Sequence, residues 1–192
     1  MLIIYDFTPR ITIFTDNITT LESLLIYAMK TITYQSDYLG NGFEFATINQ
    51  PDDYEGKVVA TVIRKQCSMP SNKAVLYVHG FNDYFFQSEM AQKFNEKGFH
   101  FYAVDLRKYG RSTLPHHKSN NMRSLTEYFA DLDEALDIIR QEGNEQVLLS
   151  GHSTGGLLVT LYASERVGNE KFDTIFCNSP FYDMNMPGYQ KR

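Results

Sequence analysis

From Val147 to Ala163 the chain reads VLLSGHSTGGLLVTLYA: an apolar run, Ser153 bracketed by Gly151 and Gly155, then a second apolar run. A buried strand that turns at once into a helix is the reading that uses every residue of this stretch. The small residues let the two backbones come close at a very tight turn. The preceding chain extends the pattern. AVLYVHG, after Lys73, is the continuous apolar run of a strand covered on both faces. SEMAQKFNEKG reads as a short helix, with Ser88 at its start and Gly98 past its end, and FHFYAVDL as the next strand. RKYGRSTLPHHKSNNMRS is a polar loop. In LTEYFADLDEALDIIRQEG, Leu125, Tyr128, Phe129, Leu132, Leu136 and Ile139 form one apolar stripe, ended by Gly143. FDTIFCNSP is the last strand. Strands separated by helices predict an α/β fold: a mostly parallel sheet with right-handed crossovers and helices on both faces. Functional groups in such sheets gather at the carboxyl ends of the strands, where every motif below sits.

Upstream, DNITTLESLLIYAMK predicts a helix with Ile18, Leu21, Leu25 and Ala28 on one face and Asp16 or Asn17 as its cap. GFEFATIN and KVVATVIRK, joined by the turn chemistry of PDDYEG, predict a leading antiparallel hairpin. The expected division is an N-terminal helical segment over residues 1–40 and one incomplete domain over 41–192. A net charge of −5 gives no electrostatic case for nucleic acid or an anionic membrane surface. No segment approaches the ~18 apolar residues of a membrane span, and MLIIYDFTPR lacks the parts of a signal peptide. Cys67 and Cys177 have no metal-type spacing; a single disulfide or a free buried pair in a reducing cytoplasm both fit, and the free pair is preferred. The expectation is a soluble cytoplasmic protein with neither cofactor nor metal.

GHSTG, Gly151 to Gly155, matches G-x-S-x-G, a pattern that arises by chance about one time in fifteen in a chain this long. The strand before it and the helix after it supply the context a nucleophile elbow demands. The serine adopts a strained backbone there, and the Thr154 N–H lies at the helix start, where developing negative charge is stabilised. The competing reading is a glycine-rich turn that cradles a phosphate or merely packs tightly. In VHGFNDYFFQ, the turn at His79 and Gly80 aims the Phe81 N–H as a second oxyanion donor, with His79 read as structural rather than acid–base.

Taken together, VLYVHGF, FYAVDLRKYGRS and LLSGHSTGG resemble the α/β-hydrolase fold, and within it the monoacylglycerol lipase, lysophospholipase and serine aminopeptidase branch. The likeness covers roughly residues 42–180. It implies Ser153 as nucleophile, Phe81 and Thr154 as oxyanion-hole amides, and Asp105, Arg107, Gly110 and Ser112 as residues that fix the loop after FYAVDL. It implies a small-molecule ester or a lipid-like acyl compound as substrate. Lys108 and Tyr109 stand where the family carries Gly and His, and Thr154 replaces a common Met.

The family's triad runs Ser, then Asp or Glu, then His. After Ser153 this sequence holds Glu165, Glu170, Asp173 and Asp183 but no histidine. Asp183 stands just past the last strand, where a minority of α/β hydrolases hold the acid; the branch resembled here places it one strand later. His116 and His117 read as an exposed loop pair, His100 starts a strand, and the side chain of His152 diverges from Ser153. Three readings follow. The preferred one takes these residues as the N-terminal portion of a longer hydrolase, with the C-terminal strands, lid, Asp and His beyond Arg192 and MPGYQKR as a loop. The others are a short non-catalytic binding module and an enzyme with an unconventional or borrowed base. On the first reading these 192 residues alone behave poorly in solution and turn over essentially no p-nitrophenyl ester.

Overall fold

The computed structural model describes residues 32–168 and 171–183. The helix expected over 16–30 and the ending MPGYQKR lie outside the described residues. The compact unit that carries the sheet begins at Thr33. The reason is a two-residue strand, β1 (Gln35–Ser36), which pairs with Phe45 and Glu44 and which no hydrophobic pattern announces.

Six further strands follow: β2 (Glu44–Asp53), β3 (Gly56–Lys65), β4 (Lys73–Val78), β5 (His100–Asp105), β6 (Gln146–His152) and β7 (Thr174–Asn178). Their order in the sheet is β1-β2-β3-β5-β4-β6-β7. Pairing is antiparallel from β1 through β5 and parallel among β5, β4, β6 and β7. The expected leading hairpin is present, but its turn is tighter than PDDYEG. β2 runs through Pro51 and Asp52 to Asp53, with a register shift after Gln50, because proline is tolerated where a ladder is already irregular.

Among the described residues three α-helices cover the sheet: α1 (Ser88–Glu96), α2 (Phe129–Gln141) and α3 (Thr154–Glu165). The stretch expected as one long helix from Leu125 divides into a 3-10 turn, Leu125–Tyr128, capped by the Ser124 hydroxyl, and then α2. Alternation along the strands sends neighbouring side chains to opposite faces. Val75, Tyr77, Phe101 and Ala103 therefore pack with Phe43, Ile63, Phe85 and Ala91 under α1. Tyr102 points the other way and donates to Glu142 just past α2. On that face α2 and α3 meet through Phe129 and Tyr162, whose rings stand edge-on at 5.3 Å, while the Tyr162 hydroxyl donates to Asp133. Leu76, Leu132, Leu136, Ile139 and Leu149 are fully buried, each contributing about 1.5–3 kcal/mol through the surface it removes from water.

The loop after β5 is fixed by charge. Asp105 accepts from the N–H groups of Phe85 and Arg111 and from the Arg111 guanidinium at 2.8 Å, and Arg111 also grips Asp37 at 2.7 Å. Ser112 donates to the Asp105 carbonyl. Arg107 binds both oxygens of the fully buried Asp131 on α2, which also accepts the Arg107 N–H.

Lys108 adopts a left-handed backbone, φ 65°, and its side chain is completely buried. That conformation disfavours any residue with a Cβ, and what offsets it here is the tip of the β2–β3 hairpin. The ammonium lies 2.6 Å from Asp53, 2.7 Å from Glu55 and 4.1 Å above the ring of Tyr54. Burial pulls Asp53 up, but Lys108 pulls harder and holds its pKa below the usual carboxylate range. Burial likewise opposes the charge on Lys108, but Asp53 and Glu55 hold its pKa above the usual lysine range. Asp53 therefore contributes its full share to stability above its unfolded value, about pH 4, and loses it as pH falls through the folded value. Lys108 contributes its full share below about pH 10 and loses it as pH rises through its folded value. The difference in urea midpoint between the wild type and Lys108→Met is expected to be flat from about pH 5 to 9 and to shrink toward acid. A difference that grows toward acid would contradict this tether.

Both cysteines are free, Cys67 buried and Cys177 only partly so, which corrects the expectation of a buried pair. Among the described residues no helix is long and apolar enough to cross a membrane.

Candidate active site

β6 ends at His152 and α3 begins at Thr154, so Ser153 alone makes the turn, with φ 52° and ψ −120°. A serine is held in this sparsely populated region only when its surroundings over-determine it. Two glycines make room. A Cβ on Gly155 would sit against the carbonyls of Val78 and His79 at the end of β4, and one on Gly151 would collide with the backbone of Gly155. The chain after β7 then clamps the turn from outside. The Ser153 N–H donates to the Asn178 carbonyl at 3.1 Å, and the Phe181 N–H donates back to the Ser153 carbonyl at 3.0 Å. Between them Ser179 turns at φ 47°, and Pro180 packs so near Gly156 that a Cβ there would meet its ring. This clamp went unread in the sequence. Its only signal is NSP directly after an apolar strand.

Phe81 and Thr154 border one cavity, together with Gly80 and Gly155. Gly80 is close enough to the serine that a Cβ on it would lie 3.2 Å from that of Ser153. The Thr154 N–H opens α3, where the helix dipole favours negative charge. The three residues read from the sequence as nucleophile and oxyanion donors thus fall in one neighbourhood at the carboxyl ends of β4 and β6.

Each histidine has a place. His79 is buried; its Nε2 accepts from the Leu106 N–H, so its Nδ1 carries the proton and donates to the Gly80 carbonyl. Burial lowers its pKa against the opposing pull of that carbonyl, leaving a neutral ring that braces the loop carrying Phe81. His100 accepts from Cys67 N–H and donates to the Ser71 carbonyl. His116 and His117 stand edge-on at 4.3 Å, both on the Lys57 carbonyl. His152 turns toward β7, its Nδ1 3.2 Å from the Asn178 carbonyl. Asp183 is exposed in the segment after β7, two residues past Phe181. Among the described residues no group of three or more His, Cys, Asp or Glu side chains is arranged to hold a metal ion.

Arg107, Asp105 and Ser112 occupy the structural positions expected of them. Tyr109, beside Lys108, puts its ring 4.7 Å from that of His79 and lines the same cavity as Phe81 and Thr154.

The sequence profile described as serine aminopeptidase, S33, matches residues 69–192. No curated protein matches the chain by sequence. Among solved structures, a thermostable carboxyl esterase from Bacillus coagulans aligns with a TM-score of 0.58 at 19% identity, over 69% of this chain and 43% of its own. An acetyl xylan esterase from Thermoanaerobacterium sp. gives 0.56 at 17% identity, over 79% of this chain and 53% of its own. An epoxide hydrolase from Vigna radiata gives 0.52 at 20% identity, over 73% and 42%. These likenesses are ones of fold. The chain spans about half the length of the structures it matches.

Proposed function

The chain belongs to the serine aminopeptidase S33 family of α/β hydrolases, and from that membership we propose that the whole protein cleaves carboxylic esters of acyl or lipid-like substrates through an acyl-enzyme. The observation that carries the reading is the strained Ser153 at the start of α3, next to a cavity bordered by Phe81 and Thr154. In this mechanism Ser153 Oγ attacks the ester carbonyl, and the oxygen that becomes negative is met by the N–H groups of Phe81 and Thr154. A histidine takes the serine proton and returns it to the leaving alcohol; water then releases the acid by the same route. Since the chain spans about half the length of its structural relatives, we assign that histidine and its acid partner to the remainder of the protein.

A fluorophosphonate probe on the whole protein is expected to label Ser153, mapped by peptide mass, and to leave Ser153→Ala unlabelled. Labelling elsewhere, or none, would overturn the reading. Phe81→Pro deletes one donor while keeping a ring at the position, and is expected to lower kcat for p-nitrophenyl esters about 10²–10³-fold. An unchanged kcat would remove Phe81 from the oxyanion hole.

The description of the matching family supports a second reading, peptide hydrolysis at a free amino terminus. Aminoacyl p-nitroanilides separate the two. Turnover of these in preference to p-nitrophenyl esters would favour the peptidase.

A further inference from the structure

Three neighbouring strands, β4, β6 and β7, end side by side at the serine. The middle one ends in His152, with Gly80 beyond the end of β4 on one side and Asn178 at the end of β7 on the other. The His152 ring reaches both. Its Nδ1 stands 3.2 Å from the Asn178 carbonyl, and a Cβ on Gly80 would lie 3.7 Å from its Cδ2. The ring takes no part in lining the apolar cavity.

The Asn178 carbonyl takes two donors. One is the Ser153 N–H at 3.1 Å; the other is His152 Nδ1, which carries its proton because a carbonyl oxygen only accepts. Both lone pairs of that oxygen are engaged, so the carbonyl cannot swing away from one donor without losing the other. Its place in the sheet gives this weight. Among the described residues β7 pairs with β6 alone, at the edge of the sheet, and His152 with Asn178 is the last pair of the ladder. The end of an edge strand is where a ladder opens most readily. Ser179, the next residue, turns at once into the left-handed region. Yet Ser153 relies on this carbonyl for one of the hydrogen bonds that hold its own positive φ.

We infer that His152 is a positioning residue for the nucleophile: by donating to the Asn178 carbonyl it keeps that carbonyl on the Ser153 N–H, and so holds the turn that aims Ser153 Oγ. Its part is geometric; it passes no proton and touches no substrate. The inference rests on the hydrolase reading and adds to it a residue that acts through the end of β7. A misplacement on the order of 1 Å at the reacting atoms is enough to slow a reaction about 10²-fold. The fault falls on kcat, because the cavity beside Ser153 does not include this ring.

The test compares the whole protein with two variants of it. His152→Phe keeps a ring and lacks the donor; His152→Asn lacks the ring and sets a side-chain N–H where Nδ1 stands. Each is followed by p-nitrophenyl butyrate turnover, fluorophosphonate labelling of Ser153 and hydrogen exchange of the Ser153 amide. With the wild-type serine labelled, His152→Phe is expected to lower kcat about 10–100-fold and to change KM less than about threefold. Exchange of the Ser153 amide is expected to quicken about tenfold in that variant, as one hydrogen bond is lost. His152→Asn is expected to return both to within about threefold of the wild type. Nitrogen-15 shifts of the wild-type ring are expected to place the proton on Nδ1, a reading that stands even if a variant fails to fold. A proton on Nε2 overturns the inference. So do wild-type kcat and exchange in His152→Phe, a change confined to KM, or a His152→Asn variant as slow as His152→Phe. A wild-type serine that stays unlabelled, with no ester turned over, overturns the hydrolase reading and this inference with it.

Discussion

Ser153→Ala is expected to lower kcat of the whole protein by about 10⁶, because the nucleophile and its base act as one unit and removing either costs nearly as much as removing both. Folding is expected to change by less than about 0.5 kcal/mol. The serine side chain does not cap the helix it precedes, and alanine meets the same backbone strain as serine, so the substitution removes chemistry and little else. The paired measurement is turnover of a short p-nitrophenyl ester and the urea midpoint of the same preparation. Turnover within tenfold of the wild type would show that the reaction does not pass through this residue, whatever the midpoint.

The second large effect concerns stability. Arg107→Ala is expected to destabilise the protein by about 3–5 kcal/mol, because it strands a carboxylate that is 0% exposed. At this size about 2–4 °C of melting temperature goes with each kcal/mol, so the loss is on the order of 10 °C. Burial already raises the pKa of Asp131 in spite of Arg107, and the variant is expected to carry that carboxyl protonated near neutral pH. The double variant Arg107→Met with Asp131→Leu removes both charges and is expected to recover part of the loss. Recovery stays incomplete because the Arg107 N–H also spends itself on Asp131 and loses its acceptor. A single variant within about 1 kcal/mol of the wild type would show that solvent reaches the pair.

The parallel strands were legible because each is a continuous apolar run between turn residues, and β6, Ser153 and α3 because one strand meets one helix with no room for a loop. β1 was not: it is a two-residue exposed strand held by backbone pairing alone. The hairpin turn was misplaced because Pro51 and Asp52 read as turn formers and the register shift that admits them leaves no mark on composition. Lys108 and Tyr109 were visible as departures from a family pattern, but their consequence was not. It took the hairpin tip, more than fifty residues upstream, to show that the lysine is buried and paired.

The clamp on Ser153 also sets an order of events. The serine is made well before Asn178 and Phe181, whose backbone groups hold it at a positive φ. Until β7 has docked on β6 the turn lacks two of its restraints and relaxes toward ordinary backbone. A nascent chain therefore holds this turn loosely while its sheet is still open to the surroundings. The geometry of the turn is a late consequence of assembly, complete when the final described strand closes over it.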